Sequence, residues 1–154
     1  MIKLLNSLKT FKLILKGLSY LAIRENFNSL TQSLTTLLAR LNVTINGHKN
    51  QTTVKALANR WQKMMPPDYP EKFKITAITE DTAYGEIHIK CPLRNSGDAH
   101  ACFRLMNYDR TLMKKVGGQL LVLESQSTSG KNYCRVAIRK ADRDMADLTA
   151  AHQL

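Results

Sequence analysis

Pro66-Pro67 divides this chain into two textures. Proline has no backbone N–H to donate and fixes its own φ, so no α-helix runs through the pair. Before it, apolar residues recur every three or four positions; after it, every second position. That order predicts helices first and strands later. It makes the chain α+β, with an antiparallel sheet covered by helices.

Three helices are expected before the prolines. In the first, Lys9, Lys12, Lys16 and Ser19 gather on one side of the wheel, opposite Leu4, Leu8, Phe11, Leu15 and Leu18. In the second, Phe27, Leu30, Leu34, Leu37, Leu38 and Leu41 keep helical spacing as far as Asn42, and Asn26 or Asn28 can cap it. The third runs from about Thr53 to Met65, with Val54, Leu57, Trp61 and Met64 on one stripe and Lys55, Arg60 and Lys63 off it. Leu30, Leu34, Leu37, Leu41 and Trp61 are expected to be buried, with the two N-terminal stripes forming a subunit or domain interface.

After the prolines, "KFKITAIT" and "AYGEIHIK" read as two strands around the acidic turn Glu80-Asp81. One helix follows, with Asp98 as cap, Cys102 to Val116 as body and Gly117-Gly118 as stop. "QLLVLESQ" and "NYCRVAIRK" close a second hairpin, and the tail from Asp142 is a short helix or frayed. The expected organisation is a basic amphipathic helix over residues 1–24 and a single α+β domain over 25–154.

Charge bears on partners. Lys and Arg number 23 against 12 acids, and only Glu25 and Asp68 precede Glu71. The basic excess therefore belongs to the N-terminal half and suits an anionic membrane or a nucleic acid, with Lys9, Lys12 and Lys16 as the contacts. The alternative is that the first helix packs on its own domain or on a second subunit and leaves its lysines in water. The lysines also interrupt anything like a signal-peptide core, and no run is long and apolar enough to span a bilayer. Three cysteines without disulfide-type spacing suggest a reducing compartment. A cytoplasmic protein, in part peripheral to a membrane, is the expectation.

The thiols can be placed by parity. Ile87, Ile89 and Cys91 share one face of their strand, and Cys134, Val136 and Ile138 share one face of theirs. Cys102, Leu105, Met106, Asp109, Leu112, Met113 and Val116 form one stripe of the intervening helix. Cys91, Cys102, Met106, Asp109 and Cys134 should therefore meet between helix and sheet, as core fillers or as the lining of a ligand site. An inward carboxylate needs a partner; Arg104, Arg110, Arg135, a polar cavity or a metal would serve. Cys91, Cys102 and Cys134 with His100 or Asp109 would make a tetrahedral zinc set, although the cysteine spacings match no standard finger or ribbon. His48 and His88 read as solvent-facing and His152 as terminal.

The run from Cys91 through "ACFRLMNYD", "GGQLLVLESQ" and "SGKNYCRVAIR" resembles the 4-vinyl reductase-like small-molecule-binding superfamily over residues 70–140, about half the chain. Cys91-Pro92, Cys102 and Cys134 are similar to the cysteine layout of its methanogen output domains. Cys102 with Asp109, then Gly130 and Cys134, are similar to its L-2-amino-thiazoline-4-carboxylate hydrolases. The resemblance implies a ligand pocket between helix and sheet, often in sensors and usually in dimers. Phenol-sensing members carry a zinc cysteine where this chain reads Ser125-Gln126-Ser127, which leaves their zinc set one ligand short here.

Three functions follow as expectations. The first is a ligand-sensing module, a homodimer read out by a partner protein. The second is a small hydrolase using Cys102 and Asp109, for which no general base is well placed. The third is a binder of nucleic acid or anionic membrane through the basic half, with little aromatic interleaving to favour nucleic acid.

Overall fold

A computed structural model describes residues 8–66 and 69–154. The helices α1 (Leu8–Ala22), α2 (Asn28–Asn46) and α3 (Val54–Lys63) come first, with a 3-10 turn at Glu25–Phe27 between α1 and α2. A one-turn helix α4 (Tyr69–Lys72) leads into β1 (Phe73–Ile78) and β2 (Ala83–Ile87). Then come α5 (Ala99–Leu105), α6 (Asn107–Lys115), β3 (Gly118–Glu124), β4 (Cys134–Lys140) and a closing 3-10 turn at Ala151–Gln153. The strands form one antiparallel sheet in the order β1-β2-β4-β3, so the α+β class holds.

Register decides which side chains share a face. Ile87 pairs with Cys134, Gly85 with Val136 and Ala83 with Ile138; Val136 and Ile138 pair in turn with Val122 and Leu120. Directly paired residues point to the same side, so this set forms one apolar face. Helix α3 lies on it, its N-terminus capped by the Thr53 hydroxyl accepting from Ala56 N–H at 3.1 Å. The approach is close enough to need two glycines. A Cβ on Gly85 would stand 3.0 Å from Trp61 Cζ3, and one on Gly118 would stand 2.8 Å from Leu57 Cδ2. Trp61 and Leu57 are fully buried in consequence.

Helix α2 packs on α6 with its small side chains inward: Thr31, Thr35, Ala39 and Val43 are its buried residues. This corrects the expectation for its leucines. Leu30, Leu37 and Leu41 are 44%, 53% and 49% exposed, and Leu34 is half-buried. Small residues let the two helices approach, and the Thr35 hydroxyl satisfies itself on the Thr31 carbonyl at 2.7 Å. Leu30, Leu37 and Leu41 are thereby left largely outside, while Leu34 and Leu38 pack partly against the core.

Helix α1 packs on α2 and α5. Leu18 and Ala22 are buried, and Arg104 Nε donates to the Ala22 carbonyl at 2.7 Å, satisfying an end carbonyl of α1. Of the two readings of its basic amphipathic pattern, docking on its own domain is the one its inner face adopts, and Lys9, Lys12 and Lys16 are exposed. Leu4 lies outside the described residues.

Two boundaries differ from expectation. The helix expected from Asp98 to Val116 divides at Met106 into α5 and α6. At that joint Asn107 Nδ2 donates to the Thr35 hydroxyl at 2.9 Å and the Thr36 hydroxyl at 3.1 Å, tying it to α2. Strand β2 ends at Ile87 rather than Lys90, yet Ile89 is still buried and Cys91 half-buried.

Candidate functional site

Between the α1–α2 hairpin, the α5–α6 segment and the sheet lies a cavity of about 180 Å³. Each wall follows from a pattern already described. The inner face of α1 supplies Phe11, Ile14, Leu15 and Leu18, and α2 supplies Leu38, Leu41 and Ile45. The sheet side supplies Phe73, Ile87, Ile89, Cys91 and Cys134, and the helices opposite supply Cys102, Leu105, Met106 and Asp109. All five residues assigned from parity and helix phase as ligand-lining, Cys91, Cys102, Met106, Asp109 and Cys134, border this one space.

The thiols are not equivalent. The thiols of Cys102 and Cys134 are neighbours that act on each other. That interaction, helped by the Ser125 hydroxyl, draws the Cys102 thiol below its ordinary value against the opposing effect of burial. The same interaction, with burial, holds Cys134 far up. Of the pair, Cys102 loses its proton first. Burial pushes the half-buried Cys91 up to about 11.

Asp109 is buried, and its Oδ1 accepts from the Trp61 indole N–H at 3.0 Å. None of the three candidate arginines pairs with it. Arg104 turns to Ala22 and Asp98, Arg135 pairs with Glu124, and Arg110 stacks 3.9 Å over the Phe103 ring and donates to the Phe103 carbonyl. Burial raises the Asp109 carboxyl to about 6, with the Trp61 hydrogen bond and the Arg110 charge opposing. The chain thus places an acid with no ion-pair partner in a mostly apolar wall.

Among the described residues no group of three His, Cys, Asp or Glu is arranged to hold a metal ion. His100 is exposed and faces His152, ring to ring at 6.1 Å, rather than the thiols. It sits one residue into α5, on a side of the helix away from Cys102. Among the described residues no histidine lines this cavity, although His152 and Cys102 both border a separate small recess beside Phe103 and Arg110. His88, expected to face solvent, is half-buried, its Nε2 2.7 Å from Glu86 Oε2 and its ring stacked on Tyr133.

Three residues escaped the sequence reading. Gln126 is buried and braces one end of the cavity: its Nε2 donates to the Ile89 carbonyl at 2.8 Å and its Oε1 accepts from Arg94 Nε at 2.9 Å. Its backbone N–H points at Cys134 Sγ, 3.4 Å away. At the other end Asn42 Nδ2 donates to the Tyr108 hydroxyl at 2.7 Å and to the Met64 carbonyl at 2.9 Å. Burial holds the Tyr108 phenol well above its ordinary range. The signal for Asn42 was available, since it breaks the apolar run of α2 on the side that faces inward. Nothing local marks Gln126, whose side-chain partners lie more than thirty residues away.

Comparison with protein-family models, with curated proteins and with solved structures finds no match for this chain.

Proposed function

We propose that this chain is a small-molecule-binding module of the sensor or regulatory kind. Its ligand is a compact apolar molecule bearing one hydrogen-bond donor, held in the cavity between the helical hairpin and the sheet. The observation that carries this reading is Asp109. A carboxyl group buried in a mostly apolar wall, with an indole N–H as its one side-chain hydrogen-bond partner and no ion pair, costs stability unless something relieves it. A hydroxyl or amine at the end of an apolar ligand would do so while the rest of the ligand buries against Leu15, Leu105 and Met106. The volume suits such a ligand, because an engineered apolar cavity of ~150 Å³ binds benzene. The resemblance to 4-vinyl reductase-like domains agrees with a pocket at this place and supplies no ligand identity.

The hydrolase reading has weaker support. Cys102 is the most acidic of the thiols, but it lies beside Cys134 and Ser125, neither of them a general base. His152 borders it only from a separate recess, with no hydrogen bond to it among the described residues. Native mass spectrometry of gently purified protein tests the proposal. A retained mass of small-molecule size, lost when Leu105→Trp fills the cavity, is the expected result. Bare protein, together with no saturable binding across a panel of apolar alcohols and amines, would refute it.

A further inference from the structure

The outward face of α1 mixes two kinds of side chain that rarely share water. At 100° per residue, Lys9, Lys12, Leu13, Lys16 and Tyr20 fall within about one third of the wheel. The lysines are exposed, Leu13 is 72% exposed and Tyr20 is 60% exposed. Beside it α2 presents its unburied leucines. No acid occurs in residues 1–24, and Glu25 is the first.

We propose that the α1–α2 hairpin docks on an anionic lipid membrane. The lysine heads would reach lipid phosphates while Leu13 and Tyr20 enter the headgroup boundary, which satisfies both halves of the face at once. Other occupants satisfy only one. A second copy related by a twofold axis would set lysines 9, 12 and 16 of each chain near their counterparts, within a Debye length of roughly 8–10 Å, with no carboxylate on α1 or α2 to offset them. A nucleic acid would take the lysines and leave Leu13, Tyr20 and Leu37 in water.

The same hairpin walls the cavity. Phe11 and Leu15 line it from the opposite side of α1, and Leu41 of α2 both lines it and is half exposed, which puts Leu41 at the cavity rim. A ligand dissolved in the bilayer could then enter without crossing water. Docking stands independently of cavity occupancy, whereas this entry route rests on the cavity reading above.

Vesicle co-sedimentation tests the docking. The full chain should pellet with mixed phosphatidylglycerol–phosphatidylcholine vesicles, less so as salt rises, and remain in solution with phosphatidylcholine alone. Joint Lys9→Gln, Lys12→Gln and Lys16→Gln replacement should lower partitioning on the order of a hundredfold, and Leu13→Ser with Tyr20→Ser should lower it as well. Removing the same charge elsewhere, at Lys55, Lys114 and Lys115, should change it by no more than a few-fold. Circular dichroism and Trp61 emission verify that each variant is folded. Leu105→Trp should dock unchanged, which separates failure of docking from failure of the cavity reading. Absence of pelleting with anionic vesicles at low salt, or equal losses in the two lysine triples, would overturn the proposal. A stable dimer dispersed by Leu37→Ser, with no vesicle binding, would assign the face to a second copy instead.

Discussion

The sheet with α3 and the α1–α2 hairpin bury their apolar residues by different means. Against the sheet, approach is so close that Gly85 and Gly118 have no room for a Cβ, and Trp61 is fully enclosed. The hairpin is apolar on two sides: one side roofs the cavity and packs on α5 and α6, and the other stays in solvent. The first region is a filled core, while the second is a wall with a space beneath it. The difference teaches that hydrophobic content alone does not mark the core. In α2 Thr31, Thr35 and Ala39 are inside while Leu30, Leu37 and Leu41 are largely outside, because helix-to-helix approach favours small residues.

The sharpest way to break this contrast is at Trp61. Trp61→Ala should cost roughly 3–5 kcal/mol in denaturant unfolding, since it opens the packed side and removes the hydrogen-bond donor to Asp109. A loss below about 1 kcal/mol would mean that the α3–sheet contact is not the rigid half.

Asp109 should produce the next largest effect, through pH. Its folded carboxyl titrates near 6 against an ordinary 3.8, so between those values the folded state holds a proton that the unfolded state has released. Stability from this group is therefore full below about pH 3.8 and declines as pH rises to about 6, by about 3 kcal/mol. Asp109→Asn keeps an oxygen for Trp61 and removes the titration. The stability difference between wild type and variant should vary over that window and be flat above it. A difference independent of pH would show that the carboxyl is solvated.

The smallest effect is expected on the outer side of the hairpin. Leu37 is more than half exposed, so Leu37→Ser should change unfolding stability by no more than about 0.5 kcal/mol. A loss above about 2 kcal/mol would place this leucine in a buried interface and remove the contrast between the two faces of α2.

Much of the site was legible in sequence because it depends on periodicity. Strand parity brought Cys91 and Cys134 to one face, and helix phase put Cys102 and Asp109 on one side; those rules survive both the division of the helix at Met106 and the early end of β2. The outward leucines of α2 were not legible, since a helical stripe records which residues are apolar and not which neighbour approaches. Gln126 was hidden for another reason: its role consists of contacts distant along the chain. The partner of Asp109 was hidden likewise, because Trp61 reaches it from an element 48 residues earlier.

Trp61, the sole tryptophan, bonds to Asp109 in the cavity wall, so its emission reports directly on whether the space beneath the hairpin is a binding site. Benzyl alcohol, an apolar ring with one hydroxyl donor, is a suitable probe. Titrating it into the purified protein should shift Trp61 emission saturably, and Leu105→Trp, read by competition in native mass spectrometry because it adds a second indole, should abolish the binding. A response that rises linearly without saturation, with equal probe retention in both proteins, would contradict a ligand site in this cavity.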